Sequence, residues 1–484
     1  MANLNERAYG ITALPDGGAV LVGASANLYW SQGGESDSAM WRVSKAGDVV
    51  WEKVTSFSND DMAHTVTLAP DGKLLVAGSG LNNFGMWLAK YDLTGKQEWI
   101  GKTDGGGYPA AAAIVSRTVS GSVQHVVCGT HSDGSNAYAR LAYFTEKGGM
   151  QVKTTWNGGP TGYAHGGHME CRDIVSPGDG TLMWAGWTND IPGTNPWAFG
   201  DKNAIMAPID AGWGAYDKNT VARFGGAGDD AFHGLAAVQG PMAGWFGAGY
   251  TASKGAGKRD AWLVRLDAGL KVMWDATLGE AGDDQFWQVR ALPDGGAVVA
   301  GSFLASGQSK NFILMARYSA AGTKVWHVGG GSGGDYHERF DVVLTGDNDA
   351  LFAGVFAPNG SKDHATFQRV APYSQTACTA CGKLDYAACD DNNFCTNDGC
   401  NASNGTCTHT AMAGLLCTDN DACTAADACT NGACVPGATV LCDDKNPCTT
   451  ETCDKAKGCL YTTMKDGVEC GTGLVCKVGK CGVP

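Results

Sequence analysis

A chain of 484 residues with 44% apolar content exceeds one ordinary domain and can bury a large core. Its net charge of −14 comes with no basic stripe to neutralise phosphates, which excludes nucleic acid as a partner, and no apolar run is long enough to span a bilayer. The 71 glycines follow no three-residue period, which excludes a collagen-like chain.

The N-terminus, MANLNERAYGITAL, lacks the charged and then apolar segments of a secretory leader. NERAYGI at 5–11 fills the slot that NDDMAHTV (59–66) and GDDQFWQV (282–289) occupy after a Trp-bearing strand. The expectation is a mature form, a chain with an added Met, or a fragment of a longer secreted protein.

The first repeat follows at once. ALPDGGAVLVGAS (13–25) returns as TLAPDGKLLVAGS (67–79) and ALPDGGAVVAGSF (291–303), each copy an apolar strand, a tight turn and a second apolar strand ending in Gly. In the turn Pro presets φ, Asp bonds back to the backbone and Gly takes the positive φ. MWRVSKAGDVVW (40–51), MWLAKYDLTGKQEW (86–99), AWLVRLDAGLKVMW (261–274) and LMARYSAAGTKVW (314–326) then supply a third strand, a Gly turn and a fourth strand with Trp.

Four short antiparallel strands recurring about every 55 residues, with no helical pattern between them, describe one blade of a β-propeller. First strands at Tyr9, His64, Ala112, Arg172, His233, Trp287 and Phe340 predict seven blades. The third blade replaces Pro-Asp-Gly with Ser120-Gly121-Ser122. The last gives three strands, 339–345, 350–357 and 365–371, and then stops short of a Trp strand; that incomplete edge invites pairing with another chain.

Three features of the propeller carry candidate chemistry. The fourth blade, about 165–228, holds the insertion TNDIPGTNPWAFGDKN (188–203) and the aromatic set Trp184, Trp187, Trp197 and Trp213. Indole faces stack on sugar rings, so these four are the expected ligand residues, although Trp in every blade also reads as packing. His165, His168 and Glu170, next to Cys171, form a metal-like cluster without the zincin spacing. Paired acids before first strands, Asp60-Asp61, Asp229-Asp230 and Asp283-Asp284, read as acceptors for backbone N–H groups, with calcium as the alternative. No catalytic residue and no cofactor is expected beyond that calcium option.

The composition changes near 372–377, a linker between a propeller at 1–371 and a cysteine-rich region at 378–484. Seventeen of nineteen cysteines lie beyond 377, whereas all fifteen Trp precede 327. A segment so poor in large apolar residues needs covalent staples, and those persist in an oxidising compartment. After Cys378 and Cys381, whose knuckle spacing offers zinc as the lesser alternative to disulfides, the units are Cys389, Cys395, Cys400, Cys407; then Cys417, Cys423, Cys429, Cys434; then Cys442, Cys448, Cys453, Cys459; and a shortened Cys470, Cys476, Cys481. Cys128 and Cys171 sit on strands of adjacent blades, where a cross-blade disulfide is expected. Seventeen is odd, so one tail cysteine is free, joined to the propeller or joined to another molecule.

These residues carry three resemblances. The LPDGG hairpins resemble propeller repeats of secreted and surface proteins of bacteria, particularly delta-proteobacteria. LAKYDLTGKQEW (88–99) is similar to the tryptophan-docking motif of quinoprotein propellers, a family that pairs it with an adjacent-cysteine disulfide and a calcium-bound quinone; no two cysteines here are neighbours. CDDNNFCTNDGC (389–400) and CDDKNPCTTETCDKAKGC (442–459) resemble cysteine-rich repeats of slime-mould extracellular-matrix and myxobacterial surface proteins. That last resemblance implies a disulfide-rich, loop-rich stalk of small modules, each touching mainly its neighbours.

The expected function is non-catalytic binding or adhesion at a cell surface or after secretion, with the propeller face presenting a site for a glycan or an extracellular protein. The alternatives are a structural subunit of an extracellular assembly, self-associating through the incomplete blade edge or the odd cysteine, and a secreted polysaccharide hydrolase or lyase.

Overall fold

The computed structural model describes residues 5–26, 36–56, 61–80, 85–103, 110–132, 137–156, 168–178, 180–190, 199–209, 221–240, 243–255, 258–279, 281–304, 312–330, 340–346, 349–356, 364–370, 395–400, 407–411, 421, 423–425, 428–440, 442–444, 446–455 and 458–483. The chain divides into two compact units, one of Met1–Ser306, Lys310–His327 and Ser332–Tyr373, the other of Gly307–Ser309, Val328–Gly331 and Ser374–Pro484. Among the described residues every regular element is a strand.

The first unit consists of six four-stranded antiparallel sheets and one of three strands, each with its strands in chain order. We number them one to seven. Their first strands are Asn5–Ala13, Met62–Leu68, Ala110–Val119, Met169–Val175, Asp230–Val238, Gln285–Ala291 and Asp341–Leu344. Buried apolar clusters join neighbouring sheets one to two, two to three, three to four, four to five and five to six. A further cluster places Ala8, Ile11 and Leu21 of sheet one against Val343, Leu351 and Ala353 of sheet seven.

The repeated residues explain themselves in this packing. Gly17, Gly72 and Gly295 of the Pro-Asp-Gly turns have φ of 80°, 80° and 83°. One carboxylate oxygen of Asp16, Asp71 and Asp294 accepts the N–H two residues on. The other oxygen receives a cation from the third strand of the same sheet: Arg42 at 2.7 Å, Lys90 at 2.9 Å and Arg317 at 2.6 Å. Lys90 is 2% exposed. Burial disfavours its ammonium, but hydrogen bonds to Glu146 of sheet three and to Asp71 outweigh that and raise its pKa. The turn Asp therefore fixes the hairpin and anchors the third strand together.

Fourth-strand Trp residues cross to the next sheet. Trp51 Nε1 donates to Leu93 O of sheet two, and Trp274 Nε1 donates to Ala320 O of sheet six. A Cβ on Gly148 would lie 2.5 Å from the Trp99 ring, and one on Gly322 would lie 2.7 Å from the Trp274 ring. Each of these glycines, at φ 79° and 83°, is the floor on which the indole of the preceding sheet rests. The tryptophan-docking resemblance at 88–99 thus corresponds to a contact made at several sheet boundaries.

The Cys128–Cys171 disulfide forms, joining sheets three and four inside their shared core. Strand alternation sends Trp184 into that same core with 0% exposure, which closes its ring to a sugar and corrects its expected role as a ligand residue. Trp197, Trp213 and His165 lie outside the described residues.

The second unit is a series of short hairpins, Thr396–Cys400 with Cys407–Ala411, Ala428–Thr430 with Ala433–Val435, Thr449–Asp454 with Gly458–Thr463, and Leu474–Lys477 with Lys480–Gly482. Its buried apolar side chains, among the described residues, are all cysteines: Cys395, Cys429, Cys448 and Cys476. The acidic turn around Asp444 serves the backbone. Asp444 Oδ1 accepts from Asn446 N and Thr449 Oγ1, and Asn446 Oδ1 accepts from Cys448 N.

Candidate functional site

The first strands of all seven sheets line one cavity of about 570 Å³. Its chemistry is set by a backbone irregularity at the same slot in sheet after sheet. In sheets one to six the pairing of first and second strands slips by one residue, leaving Tyr9, His64, Ala112, Arg172, His233 and Trp287 without a partner in the ladder. The residue just before each pairs with a glycine: Gly23, Gly78, Gly129, Gly186, Gly249 and Gly301.

The reason is steric. A Cβ on these glycines would meet the carbonyl oxygen of Arg7, Met62, Ala110, Glu170, Ala231 or Gln285 at 1.7, 2.1, 2.2, 1.8, 1.9 or 2.1 Å respectively. That oxygen belongs in each case to the residue two before the bulge. The Gly that ends every repeated hairpin is therefore the imprint of a bulge, and the bulge turns one side chain per sheet toward the cavity. Phe340, next to the first strand of sheet seven, lines the cavity too.

Around the cavity these seven positions thus carry six kinds of residue, Tyr, His, Ala, Arg, Trp and Phe, with His used twice. They also contact one another. The His233 ring stacks on Trp287 with centroids 4.6 Å apart, and Tyr9 and His64 are tilted at 5.9 Å. His64 Nε2 lies 2.7 Å from Ser79 Oγ, and Trp287 Nε1 donates to Ser302 Oγ at 3.3 Å.

One step along the same strands the wall is polar for a structural reason. Asp173 accepts the N–H of Ile174 and, from the next sheet, that of Leu235; Asp341 accepts those of Val342 and Ile11. Burial pushes the Asp173 carboxyl up to about 6 and raises that of Asp341, while Arg290, 3.4 Å from Asp341, pulls both back toward ionisation. With their oxygens spent on backbone donors, these carboxylates stitch sheet to sheet. The paired acids behave likewise: Asp230 accepts from Gly226 N and Ser253 Oγ, Asp284 from Leu304 N and Asp229 from Lys202 N. This is the backbone-accepting role expected of them.

Beside the bulge residues of sheets four and five lies a mixed cluster. Glu170 pairs with Arg172 and accepts from Trp187 Nε1 at 3.2 Å. Lys202 Nζ sits 4.2 Å from the centre of the Trp187 ring, and Arg259 stands over Tyr250 at 4.6 Å while lying 3.8 Å from Asp229. Burial lowers the Lys202 pKa, and the neighbouring Arg259 and Arg172 lower it further against the opposing pull of Asp229 and Glu170. Three cations face two carboxylates in a protein whose overall charge is strongly negative.

This geometry reassigns several sequence expectations. Trp187, 6% exposed, packs against Ala231 and Tyr250 with Lys202 over its ring. His168 Nδ1 accepts from Ala137 N at 3.0 Å, and Glu170 is held by Arg172 and Trp187, so these two members of the metal-like set have protein partners. Cys171 is in its disulfide. In the tail, Cys442, Cys453 and Cys459, and likewise Cys448, Cys470 and Cys481, come close enough to ligate an ion, but all six are disulfide-bonded. Cys378, Cys381 and the turn at 390–393 lie outside the described residues.

A family model described as the Dictyostelium (slime mold) repeat matches residues 388–412 and 441–464. The chain is 32% identical over 120 residues to protein psiQ of Dictyostelium discoideum, a match covering 18% of this chain and 12% of that protein, so the chain spans about an eighth of that relative's length. Among solved structures it is similar to Sqt1 from Chaetomium thermophilum, at 12% identity and a TM-score of 0.40 over 76% of this chain and 98% of that one. It is also similar to the β-propeller domain of the Trilobed protease from Pyrococcus furiosus, at 9% identity and a TM-score of 0.38 over 76% of this chain and 97% of that one. The tail is thus similar to slime-mould cysteine-rich repeats, and the propeller-like fold rests on the chain's own sheets.

Proposed function

We propose that the chain is an extracellular binding protein whose seven sheets close as a seven-bladed propeller, and that its ligand lies over the end of the cavity ringed by the bulge residues. One observation carries this reading: a slot whose backbone and opposing glycine are held constant bears a different side chain in nearly every sheet. A residue that serves the blade recurs, as the turn Asp and the docked Trp do; a residue that serves a ligand is free to differ around the ring.

The residues suit a glycan that carries an acidic group. Trp287 and Tyr9 offer partly exposed aromatic surface for a sugar ring, and Arg172 with Lys202 and Arg259 offers positive charge nearby. Binding in place of catalysis is supported by the cavity carboxylates, whose oxygens are engaged by backbone N–H groups. The cysteine-rich tail supports an oxidising, extracellular setting.

Titration of the purified chain with acidic and neutral oligosaccharides tests the reading. Trp287→Ala is expected to weaken the best ligand about tenfold or more. Equal affinity in wild type and in Trp287→Ala, or preferred binding of a ligand unaffected by both Trp287→Ala and Arg172→Gln, would move the site elsewhere.

A second reading, a subunit of an extracellular assembly, is favoured by sheet seven, where strand His364–Val370 has no fourth strand beside it among the described residues.

A further inference from the structure

The tail disulfides follow one rule, and the rule gives this region a mechanical function. In every unit the third and fourth cysteines stand directly opposite in a hairpin: Cys400 and Cys407, Cys429 and Cys434, Cys453 and Cys459, Cys476 and Cys481. This register makes Cys476 a third-position residue, so the last unit is the one that lacks a second cysteine.

Opposed cysteines pair across their hairpin, yet in the units where both bonds are described they do not join each other. The fourth returns to the first of its own unit, as in Cys442–Cys459 and Cys470–Cys481. The third reaches back to the second of the preceding unit, as in Cys395–Cys429, Cys423–Cys453 and Cys448–Cys476.

The three bonds between units enclose overlapping stretches of chain, because Cys423 precedes Cys429 and Cys448 precedes Cys453. Every peptide bond from Cys395 to Cys481 therefore lies inside at least one disulfide loop. The covalent path from Cys395 to Cys476 also shortens: it crosses three disulfides and runs along the backbone only between Cys429 and Cys423 and between Cys453 and Cys448. At ~3.5 Å per extended residue, that path reaches about 55 Å, against about 280 Å for the same stretch with its sulfurs reduced.

We propose that the tail is a load-bearing strap, a disulfide ladder that limits extension under tension and keeps the chain in one covalent piece after any single backbone cut between Cys395 and Cys481. Hairpins closed only within themselves would do neither, since a cut or a pull between units would part them. The rule extends to the remaining cysteines. It pairs Cys417 with Cys434 and Cys389 with Cys407, and it sends Cys400 to one of Cys378 and Cys381, leaving the other as the thiol that the odd count requires.

Two measurements on the intact oxidised protein decide the matter. Mass mapping of peptides released without reductant should recover Cys417–Cys434 and Cys389–Cys407 and a single alkylatable thiol at position 378 or 381; a Cys429–Cys434 or Cys400–Cys407 bond overturns the rule. Single-hit elastase digestion after exposed Ala438 should release nothing from the wild type until reductant is added. The double variant Cys423→Ser with Cys453→Ser should shed the C-terminal piece directly. Release from the oxidised wild type, or retention by a variant whose remaining bonds map as native, overturns the strap.

Discussion

The two units solve the same problem, holding short strands together, by opposite means. In the propeller-like unit, apolar faces of neighbouring sheets supply buried clusters at six boundaries, and a single described disulfide joins two sheets inside one of those clusters. In the tail the described interior is sulfur itself, and large apolar side chains such as Leu460, Tyr461 and Val478 are exposed. Cooperative burial over a large area tolerates loss of one covalent link, whereas a chain with no core has nothing else to fall back on.

The largest expected effect breaks that contrast by chemistry. Under reductant, the tail amides should lose their hydrogen-exchange protection entirely, while amides of the inner strands of sheets two, five and six stay protected. Retained tail protection would mean that the hairpins are held by something other than sulfur. Replacing Cys128 and Cys171 together by Ala should cost the first unit about 4 kcal/mol in denaturant melts, given a loop of 43 residues, yet leave it folded.

A second contrast is steric. Gly249→Ala places a methyl 1.9 Å from the Ala231 carbonyl oxygen, so the bulge must shift; the expected cost is about 3 kcal/mol by chemical denaturation, with the His233–Trp287 stack disturbed. Gly482→Ala in the tail meets nothing within 4 Å and should change stability by less than about 0.5 kcal/mol. Similar costs at the two positions would show that the bulge is not a fixed feature of the sheets.

Much of this was legible in the residues. The Pro-Asp-Gly hairpins, the Gly turn before each Trp strand and the seven first-strand slots are local signals repeated many times, and repetition separates blade architecture from chance. The ring of site residues was present in the sequence reading as a way of counting blades, but its meaning was not. A bulge leaves no residue signature of its own; what betrays it is the glycine on the partner strand, such as Gly78 opposite the slip at His64, and that glycine reads equally well as a strand end. The third-strand Arg or Lys facing the turn Asp, as in Asp294 and Arg317, was readable from the repeats as a recurring opposite charge. Trp184 misled because an aromatic beside a long insertion looks like a ligand platform, whereas neighbouring sheets cover both faces of its strand, burying Trp184 on one and Met183 and Ala185 on the other. The disulfide ladder was hidden for another reason: spacing locates cysteines along the chain, but Cys476 takes its third-position role from the hairpin that sets it opposite Cys481.

The smallest effect is the one that tests the cavity wall. Asp173 ionises in the unfolded chain near 3.8, but in the folded chain only near 6, because burial penalises its charge more than Arg290 and its N–H donors relieve it. Between those values the folded chain holds a proton that the unfolded chain has released, so stability falls as pH rises through that window and is level above it. Asp341, raised by the same burial, contributes with the same sign. Asp173→Asn cannot titrate, so its melting temperature should change less between pH 4 and pH 6 than that of the wild type, by a few degrees. Its absolute stability is expected to drop, since Ile174 N and Leu235 N donate to different carboxylate oxygens and an amide has one oxygen, so its NH2 must face one of these donors. The slope and the offset therefore report different things, and a variant with the wild-type slope would show that Asp173 keeps its charge in the folded wall.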